Sequence, residues 1–206
     1  MLNKVLSAID NARDEGFDPE QGQIKLNALM TRSGNADQLL WLAGLARKSG
    51  LELRLIEFMD VGNRNCWSLE SFLTANEMVK MIGQSWPLEA LERQPHGTTL
   101  RWRYRDGQGL LSVIASIIST FCGDCNRLRV TADGKAHPCL FASPESGIDL
   151  KPLLDPTADL DDLRIGLSSL WSQRCDRSSE EREGKLSLDP LRQSMNSRSE
   201  MAYLGG

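Results

Sequence analysis

Leu2, Val5, Leu6, Ile9 and Ala12 recur at helical spacing and predict an amphipathic helix that ends at Gly16. Over residues 24–30 the period changes to two. Ile24, Leu26, Ala28 and Met30 alternate with Lys25 and Asn27, which predicts a first strand. A polar loop over residues 31–37 leads into a helix carrying Leu39, Leu40, Leu42, Leu45 and Ala46, with Gly50 as its stop. A second strand over residues 51–59 follows at once. Strand, helix, strand in that order implies parallel pairing through a right-handed crossover. The opening helix reads as the middle of a β/α repeat whose preceding strand is missing.

Further along, Thr74 and Glu77 form a capping box for a short helix with Met78, Val79, Met81 and Ile82. Pro87, Pro95 and Gly97 mark a loop. Residues 98–105 then alternate Leu100, Trp102 and Tyr104 with Arg101, Arg103 and Arg105, the plainest strand pattern in the chain. The three arginines read as a solvated face rather than a phosphate site. Asp106-Gly107 turns the chain into an apolar strand over residues 110–118. Leu160, Leu163, Leu167, Leu170 and Trp171 predict a last helix, and residues 174–185 are dense in both signs of charge and expected to be exposed.

Composition narrows the class. A chain of 206 residues with 40% hydrophobic and 25% charged residues suits one sizeable domain or two small ones. A net charge of -4 argues against general nucleic-acid binding, so any anion site is local. No apolar run reaches membrane-span length and no signal-peptide pattern opens the chain, so the expected compartment is the cytoplasm. Five cysteines, an odd number, argue against a disulfide framework.

Three of those cysteines, Cys122, Cys125 and Cys139, have the spacing C-x2-C-x13-C. Two thiolates two residues apart grip one metal centre from a tight turn, and a third arriving from a distance closes the site. Three thiolates leave one coordination position open, as in a [4Fe-4S] cluster with one iron available to a substrate atom. His137 is the competing fourth ligand, which would make a Cys3His zinc site. Pro138 makes joint ligation by His137 and Cys139 awkward, and both readings stand on the residues alone. Between the cysteines, Arg127 and Arg129 alternate with Leu128 and Val130, so a strand would put both guanidiniums on one face. The run Thr131-Ala132-Asp133-Gly134 supplies a hairpin turn.

The segment FCGDCNRLRVTADGK followed by CLF resembles the C-terminal cluster segment of the GTP 3',8-cyclases, a radical S-adenosylmethionine family of molybdenum cofactor (molybdopterin) biosynthesis. The resemblance extends through IKLN, LRLIEFMDVGNRN and the terminal Gly205-Gly206. It implies an α/β fold: incomplete TIM-type radical SAM barrel units over residues 1–70, then an α+β iron–sulfur cluster-binding region over residues 71–206. The implied activity converts GTP to (8S)-3',8-cyclo-7,8-dihydroguanosine 5'-triphosphate. By resemblance, Cys122, Cys125 and Cys139 hold a second [4Fe-4S] cluster, and Lys25, Arg127, Leu128 and Arg129 contact GTP. Arg54 and Met59 contact S-adenosylmethionine, and Gly205 and Gly206 form a tail that enters the cavity. Barrel active sites lie at the C-terminal ends of strands, where residues 59–62 are expected, with Arg54 and Glu57 on or near that end. The family's first cluster motif, C-x3-C-x2-C, has no counterpart, so this chain alone is expected to be inactive. A separate N-terminal portion or a homodimer is the expected partner, with neither nucleic acid nor membrane involved. Cys66 stands where the family has a glycine and, like Cys175, is expected to be no ligand. The alternative class is a zinc-stabilised binding module without catalysis.

Overall fold

The computed structural model describes residues 2–59, 67–95, 97–115, 125–140, 142–173 and 203. These fall into two compact units, one within Met1–Phe58 and Leu69–Ser119, the other within Met59–Ser68 and Thr120–Gly206.

The first unit is built on a five-stranded sheet. Its strands are β1 (Lys25–Met30), β2 (Glu52–Glu57), β3 (Leu88–Leu91), β4 (Leu100–Tyr104) and β5 (Leu110–Ile114), in the order β1-β2-β5-β4-β3. The first three in that order run parallel, and β4 and β3 are antiparallel additions. The helices are α1 (Leu2–Asp14), α2 (Leu39–Lys48) and α3 (Ala75–Ser85). The expected β–α–β crossover is present as β1, α2 and β2. The fold is therefore mixed α/β with a parallel portion.

Period-two alternation divides this sheet into unlike faces. Met30, Leu53, Leu55, Leu111, Val113 and Tyr104 form one buried cluster with Leu39, Ala43 and Ala46 of α2 and Met78 and Ile82 of α3. The other face carries Lys25, Asn27, Arg54 and Ser112, aligned by the register pairs Lys25↔Glu52, Asn27↔Arg54 and Arg54↔Ser112. The capping box of α3 forms as expected: Thr74 Oγ1 accepts from Glu77 N, and Thr74 N donates to Glu77 Oε2 at 3.0 Å. Glu57, fully buried, accepts from Ala75 N at 2.8 Å, placing a carboxylate at the positive end of that helix.

Two expectations are corrected, and the predicted first helix forms. Residues 88–91, expected within a loop, form β3, although Leu-Glu-Ala-Leu has no β-branched residue. Pairing with β4 from Leu88↔Tyr104 to Leu91↔Arg101 overrides that weak local preference. The α1 helix forms but buries none of its residues; Ile9 packs against the core while Leu2 and Val5 stay exposed. The arginines of β4 do not share one environment either: Arg101 is half-buried, whereas Arg103 and Arg105 are exposed.

The second unit has a small antiparallel sheet of β6 (Arg129–Val130), β7 (Lys135–His137) and β8 (Ile148–Asp149), with α4 (Leu160–Ser172). Ala136, Leu150 and Leu170 are its buried centre, flanked by Ile148, Leu153, Leu163 and Leu167. No described helix is long and apolar enough to cross a membrane.

Candidate functional site

On the open face of the five-stranded sheet, the first residue of β2 is an acid with 6% exposure, Glu52. Burial alone would raise its pKa. The Ser112 hydroxyl, donating to Oε1 at 2.6 Å, and Arg54, whose Nε lies 3.3 Å from the same oxygen, outweigh that. Lys25 Nζ stands 4.0 Å from Oε2, and the net result is a carboxyl held below its usual range. Two residues expected to serve different ligands, Lys25 and Arg54, are thus tied to one buried acid. They line a cavity of about 820 Å³ that also takes in Glu52, Arg101 and the loop at Gln108.

The position of this cavity differs from the expectation. Lys25 is the first residue of β1 and Arg54 the third of β2, so both charges lie toward the N-terminal ends of parallel strands. Glu57, in contrast, ends β2, and Met59, half-buried, lies two residues beyond it.

Because the folded-state pKa of Glu52 is depressed, the stability it contributes is present above the unfolded value of about 4.3 and lost as pH falls through the folded value. Glu52→Gln is therefore expected to cost roughly 1.5–3 kcal/mol at pH 7 and progressively less at acid pH, as the carboxyl titrates. Urea unfolding at neutral and at acid pH measures it. An equal cost at both would mean that the charge contributes nothing.

In the second unit, the turn between β6 and β7 closes on side chains. Thr131 Oγ1 accepts from Lys135 N at 2.9 Å and donates to Asp133 Oδ1 at 2.5 Å. Gly134 has φ 84°, which the reversal requires and a side chain would strain. Tyr203 reaches this turn: its hydroxyl donates to Asp133 Oδ2 at 3.0 Å, and its ring meets the His137 ring edge-on at 6.3 Å. The Thr131 bond, against some desolvation and aided by Tyr203, holds the Asp133 carboxyl below its usual range. These two contacts fix one residue of the segment that ends in Gly205-Gly206; the two glycines lie outside the described residues.

His137 is fully buried, and neither ring nitrogen has a hydrogen-bond partner among the described residues. Burial, then the nearby Lys135 ammonium, depresses its pKa, with Asp133 opposing, so the ring is held neutral. Gly147 packs so closely that a Cβ there would lie 2.5 Å from His137 Cε1.

Of the expected metal ligands, Cys125 and Cys139 are half-buried, and Cys122 lies outside the described residues, as do Cys66 and Cys175. Arg127 Nε donates to Cys125 Sγ at 3.4 Å. An N–H aimed at sulfur favours the thiolate form, the form that ligates metal, so this donor set fits a thiolate-held cluster. Arg127 and Leu128 precede β6 and are exposed, whereas Arg129 is in the strand and half-buried. The expected strand carrying both arginines on one face is therefore shortened to two residues. Pleating does not set Arg127 relative to Arg129.

Sequence reading missed Glu52, Ser112, Asp133 and Tyr203. Glu52 was open to discovery from alternation, since it shares a strand face with Arg54, whereas Ser112 comes beside them only through the pairing of β2 with β5. Tyr203 had no local signal, because its partners lie about seventy residues away.

Comparison with known proteins points to the same family as the sequence resemblance. The family model for Molybdenum Cofactor Synthesis C matches residues 51–180, more than half of the chain. Over all 206 residues, the chain is 55% identical to the GTP 3',8-cyclase of Parasynechococcus marenigrum (strain WH8102), covering 56% of that protein. It is 52% identical to the GTP 3',8-cyclase of Synechococcus sp. (strain CC9902), covering 57% of it. A more distant GTP 3',8-cyclase, from Acidothermus cellulolyticus, is 38% identical over 224 aligned residues that include the whole chain and 60% of the relative. The chain thus spans less than two thirds of the length of these curated relatives. On the family model's match, the chain belongs to the Molybdenum Cofactor Synthesis C family.

Proposed function

We propose that this chain carries the substrate-holding portion of a GTP 3',8-cyclase acting in molybdenum cofactor biosynthesis. The observation that carries this reading is the Arg127 guanidinium held against the Cys125 sulfur, within a sequence whose 206 residues are 55% identical to 56% of such an enzyme. A phosphate-binding cation and a metal-binding thiol then stand side by side, as a site that joins a nucleotide to a metal requires. Cys122, Cys125 and Cys139 would hold a [4Fe-4S] cluster, which when bound supplies an iron open to a substrate atom. Arg127, Leu128 and Arg129 bind GTP in the second unit, the guanidinium forks suiting phosphate oxygens. Lys25 of the first unit binds GTP, while Arg54 of that unit and Met59 bind S-adenosylmethionine.

On this reading the parallel strands belong to an incomplete radical SAM barrel, assigned to residues 1–70, and residues 71–206 form the cluster-binding region with its Gly205-Gly206 tail. Radical generation falls to the part of the relatives that this chain does not span. Its partner is a separate N-terminal polypeptide or a second copy, and its setting the cytoplasm. A second reading, zinc on the three cysteines and His137 in a non-catalytic module, is favoured by the two nitrogens of His137, which have no partner among the described residues.

Equilibrium binding tests the first reading. Arg127→Ala or Arg129→Ala is expected to weaken GTP by about tenfold or more, the worth of a charge-assisted hydrogen bond, and to leave guanosine unchanged. Equal weakening of both ligands would assign the arginines to the fold instead.

A further inference from the structure

We propose that Arg101 is a third anion-binding arm of the first unit's cavity, acting with Arg54 and Lys25 on a ligand that presents several anionic oxygens. For the identity of that ligand, the inference rests on the nucleotide reading above; the geometry stands apart from it.

The argument begins with register. Arg54 pairs with Ser112, and Ser112 pairs with Arg101, so the three side chains form one row across β2, β5 and β4. Residues in register across a sheet project from the same face, and two strand spacings amount to about 9.6 Å. Two guanidiniums therefore flank a serine at a separation that both side chains can span. Arg101 is half-buried and lines the same cavity as Lys25, Glu52 and Arg54.

Charge pairing separates Arg101 from its neighbours. Arg47, at the cavity wall, is bound to Asp106 at 2.5 Å and covered by the Tyr104 ring at 4.3 Å. Glu52 takes Arg54 through Nε at 3.3 Å. Arg101 has no ion pair or hydrogen bond among the described residues. Glu52 thus answers Lys25 and Arg54, while the cavity wall adds the cation of half-buried Arg101 and the exposed acid Glu20. A partly desolvated cation without an acid is costly unless a ligand supplies the counter-charge. Oligophosphate and carboxylate groups share the chemistry, and guanidinium forks match both.

The test uses the chain as it stands, with inorganic triphosphate as probe in titration calorimetry at low salt. Arg101→Gln is expected to weaken triphosphate about tenfold or more, while Arg103→Gln, on an exposed arginine of the same strand, changes it less than about twofold. Equal affinity of Arg101→Gln and the unaltered chain overturns the proposal, as does failure of the unaltered chain to bind at millimolar triphosphate. Should Arg101→Gln fail to fold, the unaltered chain decides. Triphosphate must slow phenylglyoxal modification of Arg101 and spare that of Arg103; equal modification of Arg101 with and without triphosphate refutes the idea. Parallel titrations with GTP, ATP and S-adenosylmethionine identify the source of the anion. GTP bound no better than ATP counts against the cyclase reading and leaves the Arg101 site standing. GTP preference that is indifferent to Arg101 does the reverse.

Discussion

Cys139→Ser is expected to abolish iron binding by this chain, and His137→Ala to leave it nearly intact. The two residues are neighbours in sequence, yet the fold treats them oppositely. Cys139 follows β7 and is half-buried, whereas the His137 ring is fully buried between Gly147 and Tyr203. A serine hydroxyl is a poor replacement for thiolate, and a cluster with three cysteine ligands does not tolerate the loss of one. The His137 substitution instead leaves a hole in a packed interior, so its cost appears as stability, about 1–3 kcal/mol, rather than as metal. Iron and zinc analysis of anaerobically purified protein, with the visible absorption spectrum, reads both outcomes. Loss of metal from a folded His137→Ala chain would establish the Cys3His zinc reading and remove the open iron from the proposed function.

Leu55→Ala should lower the stability of the first unit by about 2–5 kcal/mol, a large part of the roughly 5–15 kcal/mol available to a typical domain. Leu55 lies in β2 with its side chain at 0% exposure, and its strand is paired on both sides, to β1 and β5. Neither neighbour can move inward to fill the space without breaking register, so the cavity persists. Leu160→Ala on α4 is the natural control, because its side chain is 78% exposed. Its expected effect is within about 0.5 kcal/mol. Urea midpoints followed by tryptophan fluorescence distinguish the two, and similar shifts for both would mean that the Leu55 face is not a core.

Much of this protein is legible locally. The alternation of residues 24–30, the leucines of α2 and the Thr74–Glu77 capping box each write their element within a dozen residues, because side-chain periodicity and caps are short-range physics. The Thr131-Ala132-Asp133-Gly134 turn is equally local, since it carries its own signal. What sequence could not settle depends on contacts between distant strands. β3 exists only because β4 pairs with it, and β5 inserts between β2 and β4 although residues 58–99 separate β2 from β4. That insertion brings Ser112 beside Glu52, sets Arg101 in the row with Arg54, and leaves Arg103 in solvent. Three arginines identical in pattern thereby acquire different environments. Likewise, burial of His137 and the hold of Tyr203 on Asp133 follow from packing across about seventy residues of chain. Periodicity says which side of a strand a residue occupies; only the order of strands says what stands next to it.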